Sequence, residues 1–103
     1  RDHPALLADA RRRYELLDFP AVARLCECFL EVDFTARLGE IAAPACILAG
    51  ELDLLKGPAY ARILQRGIPH AELHLLPGAG HASCWERPAE FNTVVLGFLA
   101  KQA

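Results

Sequence analysis

Two short strand-like runs, each bounded by proline or glycine, constrain the fold of this chain more than any other feature. The runs occupy residues 45–50 and 71–76, and between them Gly57-Pro58 opens a segment with helical spacing that continues to about Arg66. The first run is continuously apolar, which is typical of a strand that is buried on both faces. The second run is closed by Pro77-Gly78 and is predicted to be a second strand. A strand, a helix and a second strand at an offset of about 26 residues predict a βαβ unit with parallel strands and a right-handed crossover.

Helical patterns flank this unit on both sides. Residues 4–16 and 18–30 each carry an apolar stripe at helical spacing, and a short helical turn is expected from about residue 33 to 39. After the second run, Pro88 opens a helix whose apolar side chains recur at i, i+3, i+4, i+7 and i+8: Phe91, Val94, Val95, Phe98 and Leu99. The predicted fold class is therefore α/β, a βαβα unit with two parallel strands preceded by N-terminal helices.

Length and composition allow one small globular domain. The chain has 103 residues, of which 53% are hydrophobic, and a formal charge of −2, which is typical of a folded chain. The balance of 11 basic and 13 acidic residues gives no reason to expect nucleic acid as a partner. No apolar run approaches the length of a membrane span, and no signal peptide or lipidation motif is present, so we expect no membrane partner.

The four cysteines do not form a metal-binding pattern. Cys26, Cys28, Cys46 and Cys84 lack the paired C-x-x-C spacing of zinc sites. We expect free thiols, buried or half-buried, in a reducing compartment, which favours a cytoplasmic location. Neither a metal nor an organic cofactor is expected.

A carboxylate and an imidazole follow the two predicted strands. Asp53 follows the first in Gly-Glu-Leu-Asp, and His81 follows the second in Gly-Ala-Gly-His. Functional groups gather beyond the carboxyl ends of parallel strands, and neighbouring strands lie about 4.8 Å apart. Short loops would then bring Asp53 to His81, where the acid orients the ring and the histidine acts as general base. Glu51 is the second candidate for the acid. Each motif alone is more often structural than catalytic, so the prediction depends on their matching positions.

These motifs, in their order and spacing, resemble the C-terminal segment of the α/β-hydrolase family over residues 33–99. The matching elements are Ile-x-x-Pro, Gly-Glu-x-Asp, Ile-Pro-x-Ala-Glu, Pro-Gly-Ala-Gly-His and Glu-x-Pro-x-x-Phe-Asn, at residues 41–44, 50–53, 68–72, 77–81 and 86–92. The resemblance implies a partial α/β-hydrolase fold in which Asp53 and His81 match the acid and the histidine of the family's serine–acid–histidine order. It also implies a single partial domain over residues 1–103. Within it, residues 1–32 would form helices near the junction of lid and core, and residues 33–103 the C-terminal hydrolase segment.

The family's nucleophile has no counterpart in this sequence. There is no Gly-x-Ser-x-Gly elbow, and the single serine, Ser83, has capping-box spacing with Glu86, which predicts that it caps a helix. Because the chain begins at Arg1 and contains no methionine, we expect a fragment whose missing N-terminal half carries the serine. The resemblance implies a full-length enzyme that hydrolyses a small-molecule ester, lactone or related acyl compound. Relatives of this kind include enol-lactone hydrolases, carboxylesterases and cofactor-free haloperoxidases. This chain alone is expected to be inactive.

The sequence also admits a second function from a different class. The chain is then a non-catalytic α/β-hydrolase-like domain that serves binding or assembly, and the gene upstream of Arg1 would encode no serine, cysteine or aspartate elbow. In either case the apolar strand at residues 45–50 would have an unpaired edge, and exposed edges of this kind pair with other chains. We therefore expect the isolated chain to self-associate.

Overall fold

The computed structural model describes residues 4–103 and divides the chain into two compact units, with the boundary between Asp33 and Phe34. The first unit holds two α-helices, α1 (Pro4–Glu15) and α2 (Phe19–Leu30). Asp18 is the N-cap of α2, and its side chain accepts a hydrogen bond of 3.1 Å from the backbone N–H of Ala21. The helix start predicted at this aspartate is therefore confirmed.

The second unit contains the two strands and the remaining helices of the described chain. In chain order it comprises a 3-10 helix (Thr35–Glu40), β1 (Cys46–Gly50), α3 (Pro58–Gly67), β2 (Glu72–Leu76), a short α4 (Ser83–Glu86) and α5 (Pro88–Ala100). The two strands pair in parallel, with Cys46 opposite Glu72 at one end and Gly50 opposite Leu76 at the other. The α/β fold class and the parallel pairing of the strands are confirmed. The handedness of the crossover stays a prediction.

The core of the second unit is small and consists mainly of short side chains. Both α3 and α5 contact the two strands. The buried apolar residues in the described part of the chain are Leu38, Ala49, Ala61, Ile68, Leu76 and Ala79. Within residues 4–103 no large side chain is fully buried, and α1 and α2 contain no buried residue. No helix in this range is long and apolar enough to cross a membrane. Because so few apolar side chains are buried, much apolar surface is exposed. Exposed apolar surface of this extent favours contact with further protein.

The cysteines are more exposed than the sequence predicts. Cys26, Cys28 and Cys84 are exposed, and Cys46 is half-buried, so the prediction of buried or half-buried thiols is wrong for three of the four. The first two lie on α2, which buries no residue, and the third lies in the four-residue α4. Cys46 lies in β1, where burial raises the pKa of its thiol.

Candidate active site

Asp53 is held by the loop that follows β1. Its Oδ1 atom accepts hydrogen bonds from the backbone N–H groups of Leu55, at 2.8 Å, and Lys56, at 3.0 Å. The side chain is 6% exposed. The Lys56 N–H and then the His81 ring lower the pKa of Asp53, and partial desolvation opposes them. The carboxylate is therefore ionised near neutral pH and has a fixed orientation.

His81 reaches this carboxylate from the loop that follows β2. Its Nδ1 atom lies 2.9 Å from Oδ2 of Asp53. Because an ionised carboxylate only accepts hydrogen bonds, we assign the proton of this contact to Nδ1. The other ring nitrogen, Nε2, then faces away from the acid and can accept a proton. The His81 side chain is 59% exposed.

Glu51, the second candidate for the acid, has a different contact. Its Oε2 atom lies 3.4 Å from the backbone nitrogen of Gly78, which donates to it. Its own backbone N–H donates to the carbonyl oxygen of Leu76 over 3.0 Å. The structure thus brings Asp53 to His81 and places Glu51 against the turn that follows β2.

A close backbone approach sets the distance between the two loops. The N–H of Leu52 donates to the carbonyl oxygen of Ala79 over 2.8 Å. A Cβ atom on Gly50 would overlap the carbonyl oxygens of Ala79 and Gly80, so only glycine fits at the end of β1. Gly78 has φ of 65°, a left-handed conformation that turns the chain after β2 and that glycine adopts without strain. These glycines permit the approach on which the contact between Asp53 and His81 depends.

The predicted helix cap at Ser83 is wrong. Helix α4 begins one residue earlier than the capping-box spacing implies: Ala82 is the N-cap, and Ser83 is buried in the first turn. The side chain of the N-cap residue itself makes no capping hydrogen bond. The Glu86 carboxylate instead accepts two backbone hydrogen bonds, from Gly80 through Oε2 at 2.7 Å and from Ala82 through Oε1 at 3.1 Å.

The remaining polar groups give no sign of a metal centre. His74, in β2, lies 3.4 Å from Glu72 through its Nε2 atom and makes no hydrogen bond to the Asp53–His81 pair among those the structure shows. Within residues 4–103 no group of three or more histidine, cysteine, aspartate or glutamate side chains is arranged to hold a metal ion. The chemistry available in the described chain is that of an acid–histidine pair: orientation of an imidazole and proton transfer at Nε2.

The sequence is similar to those of known hydrolases. It is 42% identical over 69 residues to the 2-hydroxy-6-oxononadienedioate/2-hydroxy-6-oxononatrienedioate hydrolase of Klebsiella pneumoniae, a match that covers 67% of this chain and 24% of that protein. The hydrolase of the same name from Paraburkholderia xenovorans is 40% identical over 68 residues, with 66% and 24% covered. The chain thus spans about a quarter of the length of the curated relatives it matches. No protein-family model matches it.

The fold is similar to those of solved hydrolases. The enol-lactonase from Burkholderia xenovorans LB400 superposes with a TM-score of 0.85 and 32% identity, over 94% of this chain and 37% of that one. An α/β hydrolase from the sediment metagenome of the Mar Chica lagoon, Morocco, gives a TM-score of 0.77 at 25% identity, over 90% and 44%. The fold class is therefore that of an open α/β sheet with its polar site at the carboxyl ends of the strands. More specifically, the chain has part of the α/β-hydrolase fold, and its sequence resembles those of members of that family.

Proposed function

We propose that this segment supplies the acid and the histidine of a serine hydrolase, with Asp53 as the acid and His81 as the general base. The observation that carries the proposal is the 2.9 Å contact between His81 Nδ1 and Asp53 Oδ2. In a triad the acid fixes the tautomer of the ring and stabilises the imidazolium that forms when Nε2 takes the proton of the nucleophile. The two backbone N–H groups on Asp53 Oδ1 favour this role because they keep the carboxylate ionised and oriented.

The nucleophile of this hydrolase lies outside the 103 residues. The single serine, Ser83, is buried in the first turn of α4 and belongs to no Gly-x-Ser-x-Gly motif. We propose that residues 33–103 form the C-terminal segment of one partial domain, and that residues 1–32 lie near the junction of lid and core. The serine elbow then belongs to the part of the relatives' length that this chain does not span. By itself the chain is inactive, because the histidine has no nucleophile to activate.

The proposed substrates are esters, lactones or related acyl compounds of low molecular weight. The names of the similar proteins support this class: one solved neighbour is an enol-lactonase, and another, 42% identical over 62% of this chain with a TM-score of 0.60, is an N-acyl homoserine lactone degrading enzyme. A lactone is a cyclic ester, so the serine attacks the same acyl carbon in both substrate types, and water then hydrolyses the acyl-enzyme. A serine that is activated by His81 and Asp53 performs this chemistry without a cofactor.

The test is the replacement of His81 in the full-length gene product. We expect His81→Ala to lower kcat for p-nitrophenyl butyrate by about 10³-fold or more, because the serine loses its base. The matched control is His74→Ala, which removes a histidine that contacts Glu72 and not Asp53. It should leave kcat within about twofold of the parent. Turnover that survives His81→Ala would overturn the proposed function, and so would saturable turnover by the isolated chain that His81→Ala abolishes.

Self-association of the isolated chain is the second part of the proposal. In the described residues β1 pairs with β2 on one side only. A groove with a volume of about 490 Å³ lies against β1 and α3 and is lined by no residue of β2; its apolar lining includes Ile47, Leu48, Tyr60, Ile63 and Leu64. A strand edge with unpaired backbone groups beside an apolar groove is a template for pairing with another chain. A second copy of this chain is the occupant that we propose.

A further inference from the structure

The two backbone amides that flank His81 donate to one carboxylate. The N–H of Gly80 lies 2.7 Å from Oε2 of Glu86, and the N–H of Ala82 lies 3.1 Å from Oε1. Both oxygen atoms of Glu86 are therefore engaged, one on each side of the histidine. Hydrogen bonds to an ionised carboxylate are shorter and stronger than those between neutral groups, and the 2.7 Å contact has the expected length.

The loop that carries His81 needs an external constraint. It contains Gly78, with φ of 65°, and Gly80, and glycine loses more conformational freedom on folding than any other residue. The His81 side chain is 59% exposed, so close packing around the ring does not fix its position. The Glu86 carboxylate supplies a constraint on both sides of the histidine at the level of the backbone.

We propose that Glu86 is a positioning residue that holds the His81 backbone at the place where Nδ1 meets Asp53. The proposal rests on the proposed function, because positioning matters only if His81 takes part in the reaction. Glu86 itself touches neither the His81 ring nor Asp53 among the contacts that the structure shows. Glu86 acts on how precisely the His81 ring is positioned. A displacement of a catalytic group by about 1 Å is enough to lower a rate by roughly 100-fold.

A role confined to capping α4 does not account for both contacts. The hydrogen bond to Ala82 lies at the N-cap of the helix, whereas the shorter bond, to Gly80, lies two residues before that cap. A Cβ atom on Gly80 would lie 3.0 and 3.2 Å from the two carboxylate oxygens. The absence of a side chain at Gly80 therefore lets the Glu86 carboxylate approach the amide that precedes His81.

The kinetic test uses Glu86→Gln and Glu86→Ala in the full-length gene product. Glutamine keeps one oxygen acceptor and presents an NH₂ group to the other amide, so one of the two bonds is lost; alanine loses both. We expect kcat for p-nitrophenyl butyrate to fall by about tenfold in Glu86→Gln and by up to about 100-fold in Glu86→Ala, with KM within about twofold of the parent. The control is Glu90→Gln, which makes the same charge change at an exposed carboxylate that lies 3.6 Å from Arg87. Its kcat should not change.

Backbone amide NMR gives a readout that does not depend on activity. In Glu86→Gln the ¹H shifts of the Gly80 and Ala82 amides should move upfield, because their acceptor loses its charge, while amides in α1 remain in place. Unchanged amide shifts, or a kcat for Glu86→Ala equal to that of the parent while His81→Ala abolishes turnover, would overturn the role of Glu86 and leave the proposed function intact. If His81→Ala retains full turnover, the proposed function fails with the positioning role that rests on it. The thermal unfolding temperature of Glu86→Gln shows whether a fall in kcat comes from loss of the folded protein. A fall in kcat that is explained by unfolding would count against the positioning role.

Discussion

The backbone N–H of Leu52 donates to the carbonyl oxygen of Ala79 over 2.8 Å, two residues beyond the end of β1. This bond joins the loop that carries Asp53 to the loop that carries His81. Ala79 is completely buried, so its carbonyl oxygen is shielded from water and water does not compete with the Leu52 N–H for it. The contact between the acid and the histidine therefore depends on backbone pairing that continues past the strands, and not only on the two side chains.

Gly50 is the residue whose replacement should disturb this arrangement most directly. In Gly50→Ala the new Cβ would overlap the carbonyl oxygens of Ala79 and Gly80, and backbone atoms cannot move aside as a flexible side chain would. We expect the free energy of unfolding of the full-length gene product to fall by about 1–3 kcal/mol, in the range of overpacking substitutions. Urea denaturation measures the change.

Gly97→Ala is the matched control for that substitution. Gly97 lies in the interior of α5, and a Cβ built on it would meet no heavy atom of the described residues within 4 Å, apart from its chain neighbours and the backbone of its own helix. Alanine is the better helix former, so the same chemical change should raise the free energy of unfolding by about 0.5–1 kcal/mol. Equal effects of the two substitutions, in sign and size, would contradict the close approach of the two loops.

Substitutions that replace each carboxylate by a neutral amide distinguish Asp53 from Glu51 as the catalytic acid. Asp53→Asn keeps the shape of the side chain but removes the acceptor that fixes the proton on His81 Nδ1, so we expect kcat for p-nitrophenyl butyrate to fall by about 10⁴-fold. Glu51→Gln changes a carboxylate that contacts the Gly78 amide at 3.4 Å, and it should lower kcat by less than about threefold. A larger loss in Glu51→Gln than in Asp53→Asn would assign the acid to Glu51.

The sequence predicts the strands that carry this site better than it predicts the side-chain contacts within it. The strand-like runs at residues 45–50 and 71–76 predict the strands within one residue of the observed ends, because proline or glycine marks the end of each run. The same residues indicate that Asp53 and His81 share one edge of the sheet. The contacts of Glu86 are not predictable in this way. Its spacing from Ser83 fits a capping box, and only the path of the loop decides that its acceptors face Gly80 and Ala82 instead.

Burial is the other feature that spacing does not predict. The helix α2 has apolar side chains at helical spacing, yet none of its residues is buried, and Leu25 and Phe29 are 55% and 67% exposed. Periodicity identifies the face of a helix that favours an apolar partner, but it does not say whether the chain contains that partner. The wrong prediction of buried thiols at Cys26 and Cys28 has the same origin.

The ion pair between Glu72 and Lys101 should make stability depend on pH. Lys101 Nζ lies 3.0 and 2.8 Å from Oε1 and Oε2 of Glu72, and this contact is the main cause that holds the pKa of Glu72 below its ordinary value of 4.5. A carboxyl with a lowered pKa in the folded state stabilises the fold above its unfolded pKa, and this contribution is lost as pH falls through the folded pKa. Glu72→Gln should therefore be less stable than the parent at neutral pH, and the difference should shrink as the pH falls below 4.5.

Lys101→Gln provides the reciprocal measurement. It removes the partner that lowers the pKa of Glu72, so its loss of stability should follow the same pH dependence. Because both groups are partly exposed, high salt should weaken both effects. The free energies of unfolding of the two variants and of the double variant, each measured by urea denaturation across this pH range, give the coupling directly. A stability difference that stays constant with pH would show that the pair does not form.

The isolated chain should form oligomers through the groove beside β1. Leu64 lines that groove and is 40% exposed, so Leu64→Lys places a charge in the groove without emptying the core. We expect it to weaken self-association by about tenfold in Kd, equivalent to about 1.4 kcal/mol, as measured by sedimentation equilibrium. Leu96→Lys is the control, because Leu96 is 65% exposed on α5 and does not line the groove. A parent chain that sediments as a monomer, or equal weakening by both lysines, would exclude the edge of β1 as the contact between copies.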